Sequence, residues 1–191
     1  WFLDKAFDIA NNYPKGPVQL SIPTNFVFTG KVESPPNEDA RTFDKFRKKT
    51  HRPHPDPEDI EQIEELLAHS VKPVIISGGG VWYSEADKML ESFAADNNIP
   101  IFTPFTHLKS VDMAHPMYMG LYDFHQNPCS RVASAEADLI LYLGGRLDFG
   151  LNYGEAPLIG KNAKLVCVNP TARELSENAL ADVRICSDIR A

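Results

Sequence analysis

Pro73-Val74-Ile75-Ile76-Ser77-Gly78-Gly79-Gly80-Val81 is a short apolar run closed by three glycines. It is too short for a buried helix and has β-branched residues at its centre, so it reads as a strand covered on both faces. A helical pattern follows over 84–97, with Ala86, Met89, Leu90, Phe93 and Ala94 on one face. Strand, glycine turn and helix open a βαβ unit, and the same alternation continues toward the C-terminus. Ile99-Pro100-Ile101-Phe102 reads as the next strand, and a long loop through Pro128 leads to a helix over 129–136. Ala137 to Leu143 is an apolar strand ending at Gly144-Gly145, and Leu165–Val168 and Val183–Cys186 flank a helix over 171–180. Five strands near 74, 100, 140, 166 and 184, alternating with helices, predict an α/β fold: a parallel sheet with helices on both faces. Right-handed crossovers place all strand C-terminal ends along one edge, where such sheets bind ligands.

Upstream the text changes character. Residues 1–12 have helical spacing, with Phe2, Leu3, Ala6, Phe7, Ile9 and Ala10 apolar. Val18 to Ile22 alternates and stops at Pro23, which predicts a short strand. From Thr29 to Pro57 the chain is rich in proline and charge and has no period, so it reads as an interdomain linker. Within it, Arg41, Lys45, Arg47, Lys48, Lys49 and Arg52 face a single acid, Asp44, as a solvated tether or a phosphate-binding strip would. The acidic first turn at Asp56, Glu58, Asp59 and Glu61 then starts a helix through Ile60, Ile63, Leu66 and Leu67.

The 191 residues carry a formal charge of −7 and are 43% hydrophobic and 24% charged, an ordinary globular balance. An acidic chain has no bulk attraction to nucleic acid or to anionic lipid. No apolar stretch approaches the roughly 20 residues that span a bilayer. Cys129, Cys167 and Cys186 are odd in number and widely spaced, so a reducing cytoplasm and buried thiols are expected, with no disulfide frame and no zinc site. Trp1 already lies within the amphipathic pattern, which reads as a piece of something longer.

Several positions could carry chemistry. Gly78, Gly79 and Gly80 would let a backbone approach a pyrophosphate, or would simply make a tight turn. They do not form Gly-x-Gly-x-x-Gly, and no Walker lysine follows. Gly144-Gly145-Arg146-Leu147-Asp148 is a ligand clamp, with Arg146 forking onto a phosphate, or a glycine turn with a surface ion pair. Thr103 closes a strand and could bond a phosphate or cap its turn. His107, His115 and His125 share one loop with Asp112 and Asp123, but in no common metal spacing. No nucleophile elbow is present.

Taken in order, these motifs resemble the thiamine-diphosphate-dependent enzymes of the acetolactate synthase type. That group includes acetolactate synthase, benzaldehyde lyase, oxalyl-CoA decarboxylase and 2-hydroxyacyl-CoA lyase. The carrying residues are Gly16-Pro17-Val18 with Ile22-Pro23, Lys72 to Val81, Asn98 to Ile101 with Thr103, His115-Pro116 with Gly120, and Ala137 to Asp148. The resemblance implies a central, Rossmann-like domain of about six parallel strands over 58–191. It implies a remnant of the pyrimidine-binding domain over 1–30 and a linker over 31–57. The catalytic glutamate and the Gly-Asp-Gly…Asn motif that holds Mg2+ and the diphosphate belong to the family's other two domains. No Gly-Asp-Gly occurs here. The resemblance therefore implies no catalytic residue and no metal ligand in this piece, and no catalysis by it alone. Its implied partners are the two remaining domains and further copies of the parent, as a dimer or tetramer.

Central domains of this family hold FAD or ADP/CoA, or nothing. By resemblance the contacting positions are Gly78, Gly79, Gly80, Val81, Thr103, Gly120, His125, Gly144, Arg146 and Asp148. Three departures stand out. Asp123 replaces a glycine, Gly145 replaces an alanine, and Cys167-Val168-Asn169-Pro170 has lost two acids that would serve a ribose. Besides the carboligase or decarboxylase reading, for 2-oxo acids or 2-hydroxyacyl-CoA, two others follow: an independent FAD, NAD or CoA module, and a structural domain with an empty pocket.

Overall fold

The structure, a computed structural model, describes residues 2–13, 15–29 and 51–191. The chain divides into two compact units, Trp1–His51 and Arg52–Ala191. In the first, α1 (Phe2–Asn11) and α2 (Thr24–Thr29) are helical. The stripe of Phe2, Leu3, Phe7 and Ile9 expected from the spacing lies on α1, and no residue of that helix is buried. Residues 18–22, expected to be a strand, form none. A strand needs a ladder partner, and among the described residues every strand lies within 73–186. The basic run at 41–49 and most of the expected linker lie outside the described residues.

The second unit opens on α3 (Pro57–His69), with Pro57 at a position that needs no N–H and the Asp56 N–H donating to the Asp59 carboxylate. Then come β1 (Pro73–Ser77), α4 (Gly79–Tyr83), α5 (Asp87–Asp96), β2 (Ile101–Thr103), β3 (Tyr118–Leu121), α6 (Pro128–Glu136), β4 (Leu139–Leu143), β5 (Lys164–Asn169), α7 (Ala172–Ser176) and β6 (Val183–Cys186). The helix expected over 84–97 is α5, which begins at Asp87, and a short helix, α4, precedes it where the sequence reads as a glycine turn. The chain breaks at Ser84 and Glu85, the latter at φ 56°, because the turn must redirect α4 into α5. The sixth strand is β3, inside the expected loop. It is a short, half-buried edge strand whose register with β2 is interrupted, so it shows no apolar run.

All ladders are parallel, in the order β3-β2-β1-β4-β5-β6. Val74, Ile76, Phe102, Ile140, Tyr142 and Cys167 bury one face of the sheet, against Tyr122, Leu151 and Leu158. Ile75, Ile101, Leu141, Val166, Val168 and Ile185 bury the other, against Val81, Leu90 and Ala94. Each fully buried aliphatic side chain contributes about 1.5–3 kcal/mol. Tyr122 stands edge-on to Phe102 at 5.3 Å and donates its hydroxyl to Leu158 O at 2.9 Å, so its polar tip is satisfied in the core.

Two carboxylates fasten the strand starts. Asp138 accepts the Ser70 hydroxyl and the N–H groups of Val71 and Lys72, at 2.7 and 3.0 Å, joining the entry of β1 to that of β4. Asp182 does the same for β5 and β6, accepting Leu165 N–H and Lys164 Nζ at 2.9 Å. Cys167 is buried, its thiol pushed up to about 12 by burial, whereas Cys129 and Cys186 are exposed. The expectation of buried thiols therefore fails at Cys129 and at Cys186. Cys186 ends the edge strand β6, where only alternate residues face the core.

Candidate functional site

The strand order reverses between β1 and β4, so the crevice beyond their C-terminal ends is the place to look for a ligand. The register aligns Ser77 with Leu143, and the two glycine turns that follow lie against each other. Gly78 N–H donates to Leu143 O at 2.8 Å, and Gly80 N–H donates to Gly144 O at 2.7 Å. A Cβ on Gly80 would stand 2.4 Å from Gly144 Cα, and one on Gly144, at φ +68°, would stand 2.3 Å from Gly80 Cα. A Cβ on Gly78 would meet Gly144 O at 2.6 Å. The glycines at 78, 80 and 144 are therefore required by a backbone-on-backbone seam.

The two remaining glycines each lie under a ring. A Cβ on Gly79 would be 2.4 Å from Cδ2 and Nε2 of His107, and one on Gly145 would be 2.1 Å from the Tyr142 hydroxyl. Tyr142 donates to Arg146 O at 3.0 Å, and its hydroxyl is pushed up by burial and, secondarily, by Asp148. His107 reaches this place on the loop after β2, in a single turn over Phe105–His107. Its imidazole pKa lies below the ordinary value because burial disfavours the cation; Arg146 adds to this and Asp148 opposes it. His107, Arg146 and Asp148 thus share one electrostatic neighbourhood over the seam.

Asn169 and Asn178 hold the β4 turn from below. Both donate Nδ2 to Gly145 O, at 2.9 and 3.0 Å, and Asn178 Oδ1 accepts Leu147 N–H at 2.8 Å. Asn169 is buried and its Oδ1 has no partner. Asp148 accepts Gly150 N–H at 2.9 Å and starts a tight turn in which Asn152 and Tyr153 take positive φ. Arg146, Asp148, Tyr153 and Glu177 line a cavity of about 440 Å³ beside it.

The other expected residues are spread along the same edge. Val81 is a core residue with no exposure. Thr103 is equally buried, and its hydroxyl pairs with that of Tyr118 at 3.0 Å. Gly120, at φ +94°, lies beside Asn127 Nδ2, which donates to Met119 O and Leu121 O, while Asn127 Oδ1 accepts Cys129 N–H at 3.0 Å. His125 is exposed, edge-on to Phe124 at 5.7 Å. Asp123 accepts the N–H groups of His125 and Gln126, each at 2.7 Å, so its charge is engaged by the backbone where the family pattern has glycine. The structure therefore brings Gly78, Gly79, Gly80, Gly144, Arg146 and Asp148 together with His107. The sequence marks His107 only as a possible metal ligand, and the supporting roles of Tyr142, Asn169 and Asn178 leave no signal in it. Among the described residues no group of three or more His, Cys, Asp and Glu could hold a metal.

As a dinucleotide cradle this arrangement is already filled. The face of Gly79 that a diphosphate would approach carries the imidazole, and two of the turn's N–H groups are spent on the neighbouring strand and turn. The side chain at the end of β5 is a buried amide and not a ribose-binding acid.

Comparison with known proteins agrees with the fold. The chain is 28% identical to the acetolactate synthase large subunit of Lactococcus lactis over 191 residues, covering 98% of this chain and 32% of that protein. It is 29% identical to the sulfoacetaldehyde acetyltransferase of Castellaniella defragrans, covering 92% of this chain and 28% of that protein. The crystal structure of benzoylformate decarboxylase from Polynucleobacter necessarius superposes with a TM-score of 0.70 at 19% identity, over 99% of this chain and 34% of that one. The chain thus spans about a third of the length of the relatives it matches. Residues 60–191 match the family described as thiamine pyrophosphate enzyme, central domain, and the chain belongs to that family.

Proposed function

We propose that this chain is the central domain of a thiamine-diphosphate-dependent carboligase or decarboxylase of the acetolactate synthase type, acting on 2-oxo acids or 2-hydroxyacyl-CoA. The observation that carries the reading is the family match over 60–191, which coincides with the six-stranded unit. Thiamine diphosphate supplies the carbanion-stabilising chemistry when bound. Its diphosphate and Mg2+ would be held by parts of the parent outside 1–191, because the Gly-Asp-Gly motif is not in this sequence. The chain's own contribution is architectural. The seam between Gly80 and Gly144 joins the turns beyond β1 and β4, and the segments that follow β1, β2 and β4 carry the exposed rings of Trp82, Phe105, Phe149 and Tyr153. Apolar rings gathered on the loop side of a domain support packing against neighbouring domains or subunits of a homo-oligomer. Three free thiols support a reducing, cytoplasmic setting. Among the described residues no helix is long and apolar enough to cross a membrane.

The test is made on the product of the complete gene. With thiamine diphosphate and Mg2+ it is expected to release CO2 from a 2-oxo acid or to cleave a 2-hydroxyacyl-CoA. Turnover of neither, together with a gene that encodes no Gly-Asp-Gly…Asn, would sink the proposal.

A further inference from the structure

We infer that His107 closes the turn after β1, so that this domain takes no dinucleotide diphosphate there. A diphosphate binds such a turn by lying on the bare backbone of a glycine, at about the position a Cβ would fill. In this chain the imidazole fills it, with three ring atoms within 2.9 Å of the Cβ position on Gly79. The closure is built from both sides. The His107 N–H donates to Pro104 O at 3.1 Å, which winds the loop after β2 into the turn that presents the ring. On the same loop Ser110 donates to Ser77 O at 2.8 Å, so the loop is tied directly to the end of β1.

Most polar groups that a nucleotide would need are engaged elsewhere. The Thr103 hydroxyl is buried against Tyr118, Asn169 Nδ2 is committed to Gly145 O so that only its buried Oδ1 lacks a partner, and the Asp123 carboxylate serves the backbone of its own loop. Arg146 keeps its charge close to the ring, and Asp148 balances it. His107 thus acts as a plug over the turn after β1, a positioning role that holds whatever reaction the parent performs. Its failure and the failure of the family reading are separate results, since one is read by ligand binding and the other by turnover.

The test uses the full chain titrated with ADP and with FAD by calorimetry, with amide chemical shifts followed in parallel. Wild type is expected to give no saturable heat at millimolar ligand and to leave the amides of Gly78, Gly79 and Gly80 unmoved. His107→Gly uncovers the Gly79 backbone beside a guanidinium suited to phosphate and is expected to bind ADP at least about tenfold more tightly than wild type. His107→Ser is expected to change in the same direction and decides the matter if the glycine variant does not fold. Saturable binding to wild type that shifts the three glycine amides overturns the proposal. So does equal ADP affinity in wild type and the folded variant.

Discussion

The Asp188 carboxylate, fully buried, accepts the Arg52 guanidinium at 2.9 Å across 136 positions of sequence. It also accepts the Ser84 hydroxyl at 3.0 Å and Arg190 N–H at 2.9 Å. Arg52 donates in addition to Ser84 O at 2.9 Å. This clasp fixes the chain just beyond β6 to Arg52, at the start of the second unit, and to the break between α4 and α5. Asp188→Ala is expected to lower stability by about 2 kcal/mol, read by urea unfolding, because buried donors lose their acceptor. The exposed pair of Arg190 and Glu85, at 3.5 Å, is the control, and Glu85→Gln is expected to cost below about 0.5 kcal/mol.

The glycine seam predicts a sharp hierarchy among alanine substitutions. Gly144→Ala must absorb both a positive φ and a contact with the Gly80 backbone, and a loss of about 3 kcal/mol or more is expected in thermal unfolding. Gly80→Ala is expected to cost a comparable amount, since the opposing atoms are backbone and cannot swing aside. Gly16→Ala, with nothing within 4 Å of the new methyl group, is expected to stay within about 0.5 kcal/mol of wild type.

Acid should loosen the sheet at its N-terminal edge. Burial pushes the Asp138 carboxyl upward, but hydrogen bonds from Ser70, Val71 and Lys72 outweigh it and hold the pKa below the ordinary 3.8. A carboxyl depressed in the folded state adds stability that is present above the unfolded value and lost as pH falls through the folded one. Stability is therefore expected to fall with pH below about 3.8, and Asp138→Asn is expected to flatten that limb of the curve of unfolding free energy against pH.

His107 offers a spectroscopic reading of the site. Its imidazole is held below 6.5 by burial and then by Arg146, with Asp148 acting the other way. In a proton NMR titration, Arg146→Ala is expected to raise its midpoint and Asp148→Asn to lower it further. Because the folded value is the depressed one, the associated stability is present above pH 6.5 and declines as pH falls through the folded midpoint. Movement of both variants in the same direction would contradict the shared neighbourhood.

Much of the fold is legible in the sequence because four strands, β1, β2, β4 and β5, are buried as apolar runs, and a run such as Leu139 to Leu143 has few other readings. What escapes is what has no such run. Tyr118 to Leu121 pairs on one side only and is half exposed, so composition gives no sign of a strand. Val18 to Ile22 shows the opposite failure, an alternation with no ladder to join. Asp138 looks like the first residue of an apolar strand, and only its three donors from the neighbouring connection show it to be a fastener. In the site, the glycines were legible as a need for close approach. The sequence could not say that the approaching group would be Gly144, His107 or Tyr142, because those contacts join residues dozens of positions apart.

The strand order carries one more consequence. Strands β1 to β3 and strands β4 to β6 form two halves, each contiguous in sequence, and within the sheet they touch only through the ladder of Pro73 to Ser77 with Leu139 to Leu143. Each half can assemble from nearby neighbours, but joining them closes a loop from the end of β3 to β4 and commits both glycine turns at once. The seam is thus the natural fracture line of the molecule. A chain cut between Leu121 and Pro128 would have to rejoin through that five-pair ladder together with the glycine turns, the Asp138 fastener and the Arg52–Asp188 clasp.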